Sequence, residues 1–424
     1  MSKINDLIKV LCPNGVEYKP IKETFYLFSG MTGVSNKWAD EGNCQFIDYM
    51  NAYKNNKINV KNTPYATVKN LRQNELKKGD LLLTSASEVP DECAVSAVIE
   101  DDIKNGVFMD DHLFGLRLKE EYSDRINTTF INYYLNSKPF RNTLFKAVRG
   151  VTRFYISNDN YVKLLIPIPP LEVQDEIVRI LDKFDELEAE LEAELEVRRE
   201  QYDFWRGKLF DISDAKEYKF DDISKIITKQ TGFDYTNHIK SSLVVEKTDE
   251  SIPYIQTKFF AGKNFNYNTD YYIPKKDAYK FNKILLNNKC ILLSIVGASI
   301  GNIGLFDGET ESFLGGAIGL VKLKDDINID YVYHYLQSPY GQAQIKNNIK
   351  GSGQASLTID SIRNFMIPIP SNDKQNKVVS ILDKMETLVN DIAVGIPAEI
   401  ELRRKQYEYY RNKLLSFEEL SVSE

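Results

Sequence analysis

The sequence predicts an α+β chain with an internal pseudo-twofold repeat: two domains of mixed α/β character joined by two long coiled-coil helices. Three observations lead there. Short motifs recur about 200 residues apart. Each half opens with short β-rich runs broken by Gly, Asn and Asp turns. Each half closes with a long stretch whose apolar residues recur every three or four positions.

The repeat comes first. Ile166-Pro167-Ile168-Pro169 returns as Ile367-Pro368-Ile369-Pro370, and Ile180-Leu181-Asp182-Lys183 returns as Ile381-Leu382-Asp383-Lys384, both at an offset of 201. Leu135, Ser137, Gly150 and Asp159 map at the same offset onto Leu336, Ser338, Gly351 and Asp360. Arg198-Arg199-x-Gln201-Tyr202 matches Arg403-Arg404-x-Gln406-Tyr407 at 205, and Glu17-Tyr18-Lys19 matches Glu217-Tyr218-Lys219. Such a period is far too long for a solenoid, so one module is present twice. Long stretches inside each half do not match.

The β-rich runs include Leu81–Thr84 and, in the second copy, Ile291–Ser294. Residues 172–209 then read as one helix of about 57 Å at 1.5 Å per residue. The helix-pairing seam is placed on Ile177, Leu181, Phe184, Leu191, Tyr202 and Trp205, and in the second copy on Val378, Leu382, Met385, Ile392, Tyr407 and Leu414. Proline-rich segments force an extended approach to each helix. Four extra residues, Gly395 and Pro397 predict a kink or short break near Ile396. The boundaries expected are 1–166 and 211–370 for the two domains, and 167–210 and 371–424 for the helical segments.

Composition narrows the class. Length suggests two or three domains, with 42% apolar residues to fill their cores. The net charge of −7 argues against a uniformly basic nucleic-acid coat. The acidity is local: residues 167–210 carry 6 basic and 13 acidic groups. That face repels DNA and reads as solvated surface or a face for a partner protein. No apolar run reaches membrane-spanning length, and MSKINDLIKV lacks the apolar core of a secretory signal. The four scattered cysteines suggest neither a disulfide framework nor a zinc ribbon. A soluble, cytoplasmic chain is the expectation.

The organisation resembles the specificity subunit of a type I restriction–modification system. The likeness is carried by Ile166-Pro167-Ile168-Pro169-Pro170-Leu171-x-x-Gln174-x-x-Ile177, by the opening Cys12-Pro13-Asn14-Gly15-Val16-Glu17-Tyr18, and by the duplication. The second copy departs in having Ser371 and Asn372 for Pro170 and Leu171, while Gln375 keeps the place of Gln174. The resemblance implies that residues 1–166 and 211–370 are target-recognition domains, each reading half of a split site in double-stranded DNA. It implies that the two helices pair antiparallel as a spacer and dock two methyltransferase subunits and, through them, restriction subunits. It also implies that this chain does no chemistry and binds no cofactor or metal. Its partners would use S-adenosylmethionine, ATP and Mg²⁺ to methylate adenine and to translocate and cleave DNA.

Candidate DNA contacts follow from matched positions with unmatched side chains. Arg149, Thr152, Arg153 and Tyr155 around Gly150 correspond to Lys350, Ser352, Gln354 and Ser356 around Gly351. Arginine can bond guanine bidentately and glutamine adenine; an ordinary turn is the plainer alternative. Thr32, Asn36 and Lys37 lie in a polar loop placed like Lys229 and Gln230 of the second half. Lys69 and Arg72 form a basic cluster with Lys77 and Lys78, and Lys258 adjoins two phenylalanines; solvated surface and a strand edge compete with phosphate contact and stacking there.

Catalytic patterns are weak. Gly297-x-x-x-Gly301-x-x-Gly304 lacks the Gly-Lys-Ser/Thr of a phosphate loop and reads as a hairpin. Asp91, Asp102 and Lys104 mimic a metal-dependent nuclease but have no counterpart in the second half. Asp110-Asp111-His112 could hold a metal, yet no second ligand pair is evident. The rival classes are an interaction scaffold without DNA specificity and a free-standing nuclease.

Overall fold

A computed structural model describes residues 2–61, 63–211, 215–351, 355–390 and 394–420. The chain divides into two compact units, Met1–Leu191 with Ile400–Glu424, and Glu192–Glu399. Each unit therefore holds one β-rich segment together with helix from both halves of the sequence. Helices do not separate from the domains at 166, 210 and 370, because their apolar stripes are shared with the neighbouring sheet.

Both units are built on the same antiparallel four-stranded sheet. In the first, the order is Phe25–Ser29, Leu113–Leu118, Leu81–Thr84, Ser96–Val98. In the second it is Ser224–Lys229, Ile318–Leu323, Cys290–Ser294, Ile303–Phe306. The apolar run Leu81–Leu83 and its counterpart Ile291–Leu293 are fully buried central strands. A second sheet differs between the units. Its order is Val34–Ala39, Tyr65–Val68, Cys44–Ile47, Val107–Met109 in one, and Tyr272–Pro274, Ser251–Ile255, Ser312–Leu314, Leu285–Leu286 in the other. The two units thus differ in the build of their second sheet.

The repeated motifs meet each other. Glu17–Pro20 pairs with Leu165–Ile168, Tyr18 facing Pro167, and Lys216–Lys219 pairs with Met366–Ile369, Tyr218 facing Ile367. Two-stranded ribbons tolerate the prolines because a missing N–H can face away from the partner. The glutamine that follows is a staple. Buried Gln174 donates from Nε2 to the carbonyls of Pro169 and Arg125, each at 2.7 Å, and accepts from the Asn127 N–H at 2.9 Å. Gln375 makes the equivalent bond to the Pro370 carbonyl at 2.8 Å, but its Oε1 has no partner among the described residues.

The long helix runs Leu171–Lys208, a residue from each predicted end. In the first unit Ile177 and Leu181 pack with Leu414 and with Phe130 and Tyr133 of the β-rich segment. Phe184 lies 6.2 Å from Tyr407 and 5.6 Å from Tyr410, ring centre to ring centre, and Arg404 bonds Glu188 at 2.6 Å. Contacts move down one helix as they move up the other, so this pairing is antiparallel. In the second unit Tyr202 packs with Val378, Leu382 and Val389, Leu195 and Met385 at the edge. Leu191 is half-buried. Trp205 is a correction: it is 41% exposed, capped by Lys208 5.7 Å above its ring. At 3.6 residues per turn it sits about 60° off the line from Tyr202 to Leu209. Ile392 lies outside the described residues. The second helical segment is two helices, Asn372–Asn390 and Ile396–Leu414. The break falls before Pro397, which takes the first turn of the new helix, where its missing N–H costs nothing.

A polar contact joins helix and sheet domain at the same offset in both units. Tyr133 donates to Asp182 at 2.6 Å and Asp185 at 2.9 Å, and Lys57 bonds Asp182 at 2.9 Å. In the second unit, His334 Nε2 meets Asp383 at 2.6 Å, Tyr333 donates to Glu386 at 2.5 Å, and Lys263 bonds Asp383 at 2.5 Å. The chain ends are also joined within the first unit. The Val16 N–H donates to the Glu418 carbonyl at 2.8 Å, and the Leu420 N–H to the Val16 carbonyl at 2.9 Å. Gly15 permits it: with φ +96°, a Cβ there would lie 2.8 Å from the Glu418 oxygen.

Candidate nucleic-acid interface

Arg149 and Tyr155 bond each other through both backbone pairs, N to O at 2.8 and 2.9 Å. They close a hairpin over Gly150–Phe154. Lys350 and Ser356 do the same at 3.0 and 2.9 Å. The leading glycines share the left-handed half of backbone space, φ +124° at Gly150 and +104° at Gly351. At Gly150 a Cβ would approach the Arg153 oxygen to 2.0 Å. Each hairpin is moored to the end of a central strand: Ala86 pairs with Tyr155, and Val296 bridges Ser356. The residue before each mooring point bonds the loop that opens the neighbouring strand. The Ser85 N–H donates to the His112 carbonyl at 3.0 Å, and the Ile295 N–H to the Ala317 carbonyl at 2.9 Å. Bond for bond, one sheet end has been constructed twice.

Side chains at that end differ. In the first unit Arg149, Thr152, Arg153 and Tyr155 are exposed. In the second, Lys350 is exposed and Ser356 half-buried, while Ser352 and Gln354 lie outside the described residues. The expected polar loop is a correction in part: Thr32 precedes the strand Val34–Ala39, in which Asn36 and Lys37 lie, and this segment joins the same end of the first unit. The Met31 N–H donates to the Met109 carbonyl at 2.9 Å, and Lys37 reaches Asp110 at 3.2 Å and bonds Asp111 as well. Lys69 and Arg72 come alongside: the Lys69 N–H donates to the Gly33 carbonyl at 3.2 Å, and Gln73 accepts from the Thr32 N–H at 2.6 Å. Thr32, Asn36, Lys69, Arg72, Arg153, Lys229 and Lys350 are exposed, and the cations among them meet no acidic side chain among the described residues.

Three candidates are placed otherwise. Gln230 is buried; it donates to the Leu314 carbonyl at 3.1 Å and accepts from Tyr254 at 3.0 Å, so it props the sheet and cannot face a base. Lys37 is half-buried and committed to two carboxylates, which removes it as a free phosphate contact. Lys258 is exposed but paired with Asp270 over the Phe259 ring. Ser85 and Ala86 are missed from sequence, where His112 is considered only as a metal ligand. Their signal was the offset of 205 between Leu113–Leu118 and Ile318–Leu323, which also aligns His112 with Ala317.

Among the described residues, two groups of ligand-type side chains lie close enough to hold an ion, Asp110–Asp111–His112 and His334–Asp383–Glu386. In both, an ammonium already stands where a cation would. Lys37 bonds Asp110 and Asp111; Lys263 lies 2.5 Å from Asp383 and 3.6 Å from Glu386. Burial works against the charge of Asp111, yet the bonds with Asp110 and Lys37 hold its carboxyl down at about 2. Asp91 and Asp102 belong to no such group among the described residues.

A sheet end erected twice on identical backbone bonds, carrying exposed cations and unlike side chains, defines a duplicated recognition protein. The family model for the type I restriction modification DNA specificity domain matches residues 13–197 and again 212–402. The chain belongs to that family and carries its domain twice. It is similar to the type I restriction enzyme EcoR124I/EcoR124II specificity subunit of Escherichia coli, 32% identical over 296 residues, 68% of this chain and 70% of that one. It is also similar to the EcoprrI specificity subunit of Escherichia coli, 27% identical over 410 residues, covering 92% and 93%. Among solved structures, a chain from a study of complex assembly in the type I restriction–modification system matches with a TM-score of 0.62 at 15% identity, covering 95% of this chain and 98% of that one. The S subunit from M. genitalium matches at 0.51 and 16% identity, over 95% and 96%. The chain is accordingly a specificity subunit, a recognition component without catalysis of its own.

Proposed function

We propose that each unit reads one half of a bipartite target in double-stranded DNA, and that this chain thereby addresses methyltransferase and restriction subunits to that sequence. One observation carries the reading: the same backbone platform presents Arg149, Thr152, Arg153 and Tyr155 in one unit and Lys350 and Ser356 in the other. A protein reading two unlike half-sites needs common scaffolding with unlike side chains. Exposed cations around the hairpins supply phosphate contacts that a chain of net charge −7 cannot supply globally.

The helices serve as spacer, and their acidic outer face is suited to protein, not DNA. Two methyltransferase subunits dock there and bring the restriction subunits. The chain binds no cofactor; S-adenosylmethionine, ATP and Mg²⁺ belong to its partners. No helix among the described residues is long and apolar enough to cross a membrane, and work on chromosomal DNA places the assembly in the cytoplasm.

The deciding experiment assembles the full chain with its methyltransferase subunits and maps methylated adenines on genomic DNA. A bipartite motif is expected, and exchange of residues 211–370 for a relative's segment is expected to change one half only. An interaction scaffold would give no motif. Binding of duplex DNA that weakens steeply with salt, and is lost when Arg149 and Arg153 become Ala, separates the two.

A further inference from the structure

The loop Asp110–Asp111–His112 belongs to the reading end. The His112 carbonyl accepts from both the N–H and the hydroxyl of Ser85, at 3.0 and 2.7 Å. The next residue, Ala86, pairs with Tyr155 of the hairpin. The backbone of His112 is therefore tied to the strand end that carries the hairpin, and its side chain is 58% exposed. The matching position in the second unit is Ala317, fixed by the equivalent Ile295 bond. Here too the backbone is kept and the side chain changed.

The ring is also oriented. Nδ1 lies 2.9 Å from Asp110 and 3.0 Å from Asp111. Nδ1 is therefore the ring nitrogen committed to the two carboxyl groups. Asp110 is itself held by the His112 N–H at 2.9 Å and by Lys37, and its side chain is only 6% exposed. Nε2 is left without a partner among the described residues. It is the ring nitrogen left for a hydrogen bond to DNA.

Resting on the DNA-reading function proposed above, we infer that His112 is a specificity-determining residue of the first unit. Its Nε2 hydrogen-bonds one base edge in the major groove, where each base pair presents its own pattern of donors and acceptors. Asp110 and Lys37 are positioning residues that hold the ring. The second unit, with Ala317, makes no such contact.

The test uses the assembled complex and the methylation motif of the wild type, H112A and H112Q. H112A is expected to lose about ten- to hundred-fold of discrimination at one base pair of one half-site, leaving the spacer and the other half-site intact. The base pair that turns degenerate in H112A identifies the edge that Nε2 reads. H112Q is expected to alter preference at that same position. A bipartite wild-type motif that both variants reproduce unchanged would overturn the role of His112 alone. A wild-type complex with no bipartite motif overturns the DNA-reading function itself. Should H112A methylate nothing, competition binding by H112Q with each base pair substituted in turn decides: altered preference at one position supports the inference, identical preferences sink it.

Discussion

His334 Nε2 lies 2.6 Å from Asp383 Oδ1, at the place where the first unit sets a tyrosine hydroxyl against an aspartate. The repeat thus preserves a polar contact while exchanging its chemistry. Burial alone raises the Asp383 carboxyl, but the bonds from His334 and Lys263 prevail and bring it to about 2. A carboxyl lowered in the folded state stabilises above its unfolded value, near 3.9, and stops doing so as pH falls through the folded value. The contact should therefore be at full strength above pH ~4 and vanish towards pH ~2. With Asp383 over a third exposed, screening leaves on the order of 1 kcal/mol. Urea unfolding of D383N and wild type should differ by that amount at pH 6 and converge near pH 2; an equal gap at both would contradict the assignment.

Tyr133 supplies the first-unit version, donating to two carboxylates from a nearly inaccessible position. Burial already pushes the Asp185 carboxyl up, and the Tyr133 hydroxyl offsets part of that. Y133F removes the donor and leaves the anions in place, which should cost about 2 kcal/mol. Thermal unfolding at neutral pH measures it. Because Asp185 then rises further, the deficit should shrink as the solution is acidified.

The two glutamine staples should not be worth the same. Gln174 has three bonds of 2.9 Å or shorter, whereas Gln375 leaves its Oε1 unpaired. At roughly 1 kcal/mol per net bond, Q174A should lose about 2–3 kcal/mol and Q375A about 1. Parallel denaturation of the two variants is the check, and a larger loss in Q375A would show that the bonds are not what the motif glutamine contributes.

Gly150 offers a way to damage recognition without damaging the fold. Its φ of +124° and the 2.0 Å approach of a Cβ to the Arg153 oxygen mean that G150A must reshape the hairpin. The hairpin is exposed, so the unfolding free energy should move by no more than about 1 kcal/mol. Target-DNA affinity should fall at least about ten-fold, read by fluorescence anisotropy at fixed salt. Undiminished affinity would move the reading surface elsewhere.

Much of this was legible in the sequence, for identifiable reasons. A long helix announces itself through three- and four-residue spacing, and Leu171–Lys208 ends within a residue of the expected bounds. The repeated motifs marked common backbone, and the hairpins at Gly150 and Gly351 are where they pointed. What stayed hidden depends on three-dimensional neighbours. Gln230 looks like a polar loop residue until Leu314 and Tyr254 surround it. Trp205 fits a seven-residue spacing, yet the face it shares is open. The partition of the units was invisible because Ile400–Glu424 returns to the start of the chain, a pairing that no local pattern records.

That partition orders events on the ribosome. Residues 192–399 form an uninterrupted unit and can close as soon as they emerge. The first unit begins to emerge earlier but must wait for residues 400–424, which bring Leu414 to Ile177 and latch Val16. The unit begun earlier is completed later, and a message cut short before residue 400 would release a protein with one mature head and one still unlatched.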